Sequence, residues 1–152
     1  MPKVGVVLGS KSDMEAVQPA IDILKEMGID YELNVISAHR TPEKARNYGL
    51  EARSRGIEVI IAAAGMAAHL PGVLASWATL PVRGVPLPGS ELKGLDALYS
   101  IVQMPAGIPV ATVAVGSAGV RNSAYLAAEI LGIKYPEIQQ AYDNYRSELQ
   151  GG

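Results

Sequence analysis

Short apolar runs alternate with longer helix-like segments along the whole sequence, and this alternation restricts the possible folds more than any other feature. The apolar runs predict five β-strands, over residues 3–8, 31–36, 59–63, 82–86 and 110–115. A helix is predicted after each strand, and a sixth at the carboxyl end, over residues 13–27, 42–55, 70–78, 92–102, 121–131 and 136–149. Such alternation favours a parallel sheet with helices on both faces. We therefore expect a single α/β domain over residues 1–152, with a three-layer, flavodoxin-like (Rossmann-type) fold and an added C-terminal helix.

Residues typical of helix ends support these boundaries. Ser12 and Glu15 predict a capping box for the first helix, while Thr41 followed by Pro42 predicts an N-cap and a first helical position. Three glycines stand where C-terminal caps belong: Gly28, Gly56 and Gly132. An apolar stripe with spacings of three and four marks the last helix and must pack either on the domain itself or on another subunit: Tyr135, Ile138, Tyr142, Tyr145 and Leu149.

Composition excludes several classes of function. The formal net charge is −2 and no run of Lys or Arg is present, so we expect no nucleic-acid partner. The absence of cysteine excludes thiolate zinc sites and iron–sulfur clusters, and two histidines thirty positions apart make a poor metal site, so we expect no metal. Proline and glycine interrupt the two long uncharged stretches, 59–82 and 100–120, which argues against membrane spans.

The charged fraction indicates self-association. Charged residues make up 18% of the chain, against about 25% in a typical soluble domain. A small monomer would have difficulty covering its apolar residues with so few charges, and homo-oligomers are the commonest assemblies. We therefore expect a homo-oligomer.

Three loops are candidate ligand sites, because ligands bind such sheets beyond the carboxyl ends of the strands, where the strand order reverses. The loops follow the first three predicted strands and read GSKSD (9–13), SAHRTP (37–42) and AGMAAHLPG (64–72). Both histidines of the chain lie in them.

The residues of these loops suit an anionic ligand and proton transfer. GSKSD offers hydroxyls and helix-terminal amides to a phosphate, and Asp13 can accept hydrogen bonds from sugar hydroxyls; alternatively, Ser12 only caps the helix and Asp13 only complements its dipole. Arg40 can pair with a phosphate or carboxylate, or be an ordinary surface residue. His39 suits proton transfer near neutral pH, or has a structural role. His69 either contacts substrate or caps the following helix. No serine or cysteine arrangement supports covalent acyl chemistry.

Six segments in a fixed order resemble one known family. They are the three loops, GVP at 84–86, SIVQMPAGIPVATVAVG at 100–116, and NSAYLAAEIL, which begins at Asn122. On these segments the sequence is similar to the class I PurE family, the N5-carboxyaminoimidazole ribonucleotide mutases of de novo purine synthesis. The resemblance covers nearly the whole chain.

The resemblance implies a reaction and roles for the loop residues. The carboxylate on the exocyclic nitrogen of an aminoimidazole ribonucleotide is released as CO₂, held in the site and recaptured by ring carbon 4, without ATP, metal or another cofactor. His39 would act as general acid and base in this reaction. The resemblance places Asp13 at the ribose. It places four residues at the substrate phosphate: Ser10, Ser12, Ser37 and Arg40. Four others would lie at the carboxylate: Ala64, Gly65, His69 and Leu70.

The family resemblance also implies a cytoplasmic octamer with active sites at subunit boundaries, where Met104 of the SIVQMP segment would complete a neighbour's site. Two residues depart from the family pattern, since many members read GAGGAAHLPG where this chain has Ala63 and Met66. If the family glycine at position 66 has a positive φ, we expect the loop to differ here, because a long side chain tolerates that conformation poorly. Two alternatives remain open: a class II enzyme that carboxylates aminoimidazole ribonucleotide with free CO₂, and a non-catalytic nucleotide-binding module.

Overall fold

Five parallel strands form one sheet in a computed structural model of the chain, which describes residues 3–152. The strands are β1 (Val4–Leu8), β2 (Tyr31–Val35), β3 (Val59–Ala64), β4 (Val82–Pro86) and β5 (Ala111–Thr112), in the order β2-β1-β3-β4-β5. The helices are α1 (Met14–Glu26), α2 (Pro42–Glu51), α3 (Leu70–Trp77), α4 (Leu95–Val102), α5 (Ser117–Gly132) and α6 (Pro136–Gly151). The predicted α/β class is therefore confirmed, although residues 1 and 2 of the predicted domain lie outside the described residues.

Helices cover the sheet on both faces. Every residue of β1, β3 and β4 is buried, which explains why these strands are almost uniformly apolar rather than alternating. Val6 and Ile61 belong to a core with α1 and α5, whereas Val7 and Ile60 belong to a second core with α2, α3 and α4. The two cores hold the carboxyl ends of the strands at one edge of the sheet. None of the helices between residues 3 and 152 combines the length and the apolar character that a bilayer crossing requires.

The elements near β5 differ most from their predicted boundaries. β5 contains only Ala111 and Thr112, rather than residues 110–115, and pairs with β4 alone. α5 begins at Ser117, four residues before the predicted start, because Gly116 with φ 85° turns the chain directly into the helix. α4 begins at Leu95 rather than at residue 92, since Gly94 has φ 89° immediately before it. Neither helix start is marked by Ser, Thr, Asp or Asn at the N-cap position, because glycine occupies that position in both helices.

Two predicted caps are wrong. Ser12 does not form a capping box, because a 3₁₀ turn over Lys11–Asp13 precedes α1 and the Ser10 side chain caps that turn instead. Gly132 is the last residue of α5 and not a C-terminal cap. A Cβ there would lie 3.2 Å from Gln139 Cα, so glycine allows α5 and α6 to approach closely. Gly28 and Gly56, in contrast, have φ angles of 69° and 88° at helix ends, as predicted.

The apolar stripe of α6 packs on its own chain. Ile138 is fully buried in the core, and Tyr145 stacks on Tyr125 of α5 with ring centroids 4.3 Å apart. Tyr135 and Tyr142 are partly buried against the same core, whereas Leu149 at the end of the stripe is exposed. The chain therefore uses four of the five stripe positions internally.

Candidate active site

A cavity of about 820 Å³ lies at the carboxyl edge of the sheet, where the chain leaves β1 and β3 toward opposite sides. This is the point where the strand order reverses, and the volume lies in the range of small-molecule sites. The structure brings all ten candidate site residues to its wall: Ser10, Ser12, Asp13, Ser37, His39, Arg40, Ala64, Gly65, His69 and Leu70. Three loops that are distant in sequence therefore form one pocket.

The two histidines meet in this pocket. His39 Nε2 lies 2.6 Å from His69 Nδ1, and the two rings are perpendicular. One of these nitrogens must carry a proton and the other a lone pair, so the contact sets the tautomer of both rings. Two imidazolium ions cannot keep this contact, because two N–H groups would face each other. The pair can thus exchange one proton with a bound ligand.

His69 does not cap α3 with its side chain. It occupies the position before the first helical residue, Leu70, but makes no capping hydrogen bond there. Its ring is directed to His39 instead. Of the two alternatives drawn from the sequence, the capping role is therefore wrong, and the ring is placed where a ligand in the pocket can reach it.

The first loop presents hydroxyl groups and a carboxyl group. Ser10 Oγ lies 2.9 Å from Ser12 Oγ and accepts a hydrogen bond from the Ser12 backbone N–H. Burial in the pocket wall raises the pKa of the Asp13 carboxyl, partly opposed by a hydrogen bond with the Ser10 backbone. Asp13 precedes α1 without a capping hydrogen bond from its side chain, so its carboxyl group can accept further hydrogen bonds from a ligand.

The second loop is a compact turn that leaves Arg40 free. Ser37 Oγ accepts a hydrogen bond from the Arg40 backbone N–H, and the Thr41 hydroxyl donates to the Ser37 carbonyl oxygen. These bonds hold Arg40 at the pocket wall. Its guanidinium forms no ion pair with a carboxylate anywhere in residues 3–152, which leaves an unneutralised positive charge beside the hydroxyls of the first loop.

Three of the first four residues of the third loop are small, and Met66 is the exception. Ala64, Gly65 and Ala67 bring their backbone to the cavity, and Met66 lies among them. Met66 adopts a φ of 55°, in the left-handed region. We expect a long side chain to tolerate this conformation poorly, yet Met66 adopts it and leaves its side chain exposed. The expected difference between this loop and family loops with glycine at position 66 stays a prediction.

Sequence reasoning missed the fourth wall of the pocket. Leu87, Pro88 and Gly89 directly follow β4 and line the cavity, and the Leu87 N–H bonds to the Ala64 carbonyl oxygen. The rule that selected the first three loops would have identified this segment too, because it also follows a strand end. Ala16 of α1 also lines the cavity and was not predicted, whereas four further wall residues belong to the predicted loops without having been singled out: Gly9, Ala38, Met66 and Ala67. Within the described chain, no three His, Asp or Glu residues lie close enough together to share a metal ion.

Comparison with known proteins identifies relatives over almost the full length. The sequence model of the AIR carboxylase family matches residues 3–151. The N5-carboxyaminoimidazole ribonucleotide mutase of Saccharolobus solfataricus is 57% identical over 150 residues, covering 99% of this chain and 94% of that protein. The mutase of Thermotoga maritima is 55% identical, covering 99% and 86%. The crystal structure of Treponema denticola PurE superposes with a TM-score of 0.89 at 29% identity, covering 99% and 93%.

Proposed function

The chain belongs to the AIR carboxylase family, and we propose how its pocket performs the reaction of an N5-carboxyaminoimidazole ribonucleotide mutase. The protein has the function of such a mutase, an isomerase of de novo purine biosynthesis. The contact between His39 and His69, in a pocket that also holds an unpaired arginine and several hydroxyls, is the observation that carries the mechanism.

The first two loops bind the ribonucleotide. Ser10, Ser12 and Ser37 donate hydroxyl hydrogen bonds to the phosphate, and Arg40 supplies the opposite charge. The ionised Asp13 carboxyl accepts hydrogen bonds from the ribose hydroxyls. These contacts act on parts of the substrate that do not react, and their binding energy positions the imidazole ring against the third loop.

The histidine pair moves the proton. The C–N bond of the N5-carboxylate breaks and releases CO₂, and the exocyclic nitrogen receives a proton from His39. CO₂ then forms a bond to ring carbon 4, and the proton leaving that carbon returns to His39, so the net reaction is an isomerisation. His39 is the catalytic residue, whereas His69 is a positioning residue that holds the tautomer and orientation of its ring.

The third loop holds the CO₂. Ala64 and Gly65 provide backbone next to the pocket, and Leu70 closes it with a buried side chain. The small side chains leave room for a carboxylate, and the apolar wall limits access of water. Because recapture competes with escape, the geometry of this loop decides how much CO₂ reaches ring carbon 4.

We propose that the protein is one domain over residues 1–152 and works in the cytoplasm as a homo-oligomer of eight copies. An exposed apolar face on α4 supports the assembly, since Leu95, Tyr99 and Val102 are exposed there. Met104 lies beside Gly72 of α3 in its own chain, where a Cβ would approach its sulfur to 3.1 Å. From this position, next to the helix that begins at the pocket, the segment around Met104 can complete the site of a neighbouring copy.

The reaction is tested with two substrates. Purified protein is mixed with N5-carboxyaminoimidazole ribonucleotide in one tube and with aminoimidazole ribonucleotide plus bicarbonate in another, both without ATP or metal. Fast formation of the carbon-4 carboxylate only in the first tube is expected. Product only in the second would mean direct carboxylation with free CO₂, and no product in either tube would favour a binding module.

The role of His39 is tested with two variants. The variant His39→Asn should bind substrate in calorimetry but lose turnover by about 10²- to 10⁴-fold. His69→Asn should lower kcat less, leave KM nearly unchanged and alter the pH profile of kcat, because only the orientation and tautomer of His39 are affected. Turnover that survives in His39→Asn would contradict the mechanism.

A further inference from the structure

Met66 occupies a strained backbone position at the pocket. Its φ of 55° is left-handed, and Lys93, with φ 56°, is the other residue besides glycine with positive φ among residues 3–152. For residues with a side chain this conformation costs about 1–2 kcal/mol, whereas glycine adopts it readily. A methionine at this position therefore needs an explanation.

Packing within the chain does not compensate for this strain. The Met66 side chain is 66% exposed and belongs to neither hydrophobic core. An exposed apolar side chain recovers little of the free energy that burial would supply. Strained residues persist mainly at functional sites, so the position of Met66 indicates a role in function.

Met66 is the one long side chain among residues 64–67 of the third loop. Its neighbours on the third loop that line the cavity are Ala64, Gly65 and Ala67, and the wall across from Gly65 is the Leu87 backbone. His69, three residues further along, carries the ring that contacts His39. A flexible thioether at the exposed rim of this wall can extend across the opening and move aside when a nucleotide enters.

We propose that Met66 is an apolar cover that slows the escape of CO₂ from the pocket between the two steps of the reaction. This inference rests on the proposed mutase mechanism. CO₂ is uncharged and offers no strong anchor to the loop, so a steric barrier controls its retention. When CO₂ escapes, the substrate has lost its carboxylate and its exocyclic nitrogen has gained a proton. Aminoimidazole ribonucleotide then leaves in place of the isomerised product. Met66 thus determines the fraction of turnovers that end in product.

The experiment compares the fraction of turnovers that release aminoimidazole ribonucleotide instead of product in three variants. Met66→Gly removes the side chain and relieves the strain, Met66→Leu retains a branched apolar side chain, and Lys93→Gly relieves the same strain outside the pocket lining. Aminoimidazole ribonucleotide released per product formed is measured, after subtraction of a tube without enzyme, together with label incorporated into product from ¹³C-bicarbonate. Met66→Gly should raise severalfold both the ratio of released aminoimidazole ribonucleotide to product and the ¹³C label in the product. Met66→Leu and Lys93→Gly should stay near the native values.

Two further measurements separate the explanations. Met66→Gly should unfold at the same temperature as the native protein or higher, since strain is removed, so the leak does not reflect unfolding. Its sedimentation coefficient should be unchanged, and a shift to smaller species would assign Met66 to a subunit contact and overturn the proposal. Native-like partitioning in Met66→Gly, or equal leakage in Met66→Leu, would also overturn it. Failure of the native protein to form product would instead refute the mutase mechanism itself.

Discussion

His39 and His69 show how much of the site depends on single residues. Each was ambiguous in the sequence, because a lone histidine in a loop serves structural roles as readily as catalytic ones. In the structure their ring nitrogens lie 2.6 Å apart, so the two rings share a hydrogen bond. The sequence placed both beyond strand ends, but their thirty-residue separation contains no signal of direct contact.

Asp13 allows a prediction about stability and pH. Burial raises the pKa of its carboxyl in the folded protein above that in the unfolded chain, so folding disfavours the ionised form. The stability contributed by the protonated carboxyl is therefore fully present below the unfolded pKa, about 3.9, and is lost as the pH rises through the higher folded pKa. Asp13→Asn should unfold at a higher temperature than the native protein at pH 7, and this difference should shrink as the pH falls toward 4.

Calorimetric melting of both proteins across this pH range provides the measurement. Glu15→Gln is the control, since it removes an exposed carboxylate from the first turn of α1 and should not raise stability. Equal stability of Asp13→Asn and native protein at pH 7 would show that burial of the ionised carboxyl does not destabilise the free enzyme. Weaker substrate binding by the stabilised variant would fit a carboxylate kept for the ribose.

The elements themselves were largely predictable, and their ends were less so. Strands β1, β3 and β4 are short apolar runs without alternation, and their length distinguishes them from the helices, whose apolar residues recur about every 3.6 positions. The largest errors at helix starts lie between residues 92 and 121, where the N-cap positions of α4 and α5 hold Gly94 and Gly116, both with positive φ, in place of typical cap residues. β5 is short because it lies at the sheet edge and pairs on one side with two residues of β4.

The packing of α6 gives a prediction at this scale. Tyr145 stacks on Tyr125 of α5, and burial raises the pKa of Tyr125 to about 12. Tyr145→Ala should lower the free energy of unfolding by about 1–3 kcal/mol, since it removes an aromatic pair and the buried area of one ring. Leu149→Ala, on the same stripe but exposed, should change it by less than about 0.5 kcal/mol in denaturant titrations. Equal effects would mean that another subunit covers Leu149.

At the scale of the whole molecule, the side of the fold formed by β4, β5 and α4 exposes apolar side chains and holds a buried charge. Arg83 of β4 is only 6% exposed, its Nε has no hydrogen-bond partner in residues 3–152, and burial lowers the pKa of its guanidinium. It pairs in the sheet with Ala111 of the exposed edge strand β5. The exposed face of α4 belongs to the same edge of the sheet, since α4 packs on β4 and β5. These features fit a protomer whose β5 edge is covered in an assembly.

The assembly can be tested at Tyr99, which is 60% exposed on the outer face of α4. Sedimentation velocity should show the native protein as an octamer of 16.0-kDa chains and Tyr99→Lys as smaller species, because a lysine would be buried without a partner in the contact. Ile133→Lys, at an exposed site after α5, is the matched control and should remain octameric. An unchanged octamer in Tyr99→Lys would place the contact elsewhere.

The order of strand and helix, the loops that carry ligand-binding residues and the family itself were all determined by the sequence, because apolar periodicity and short motifs are local properties of a chain. Only the tertiary structure decided that Ala16 of α1, which lies outside the three predicted loops, joins the wall of the pocket. It also decided that His39 meets His69 and that Met66 has a left-handed backbone. Each of these depends on distances between segments that are far apart in the chain, or on a backbone angle set by the surrounding fold, and side-chain chemistry read in sequence order carries neither.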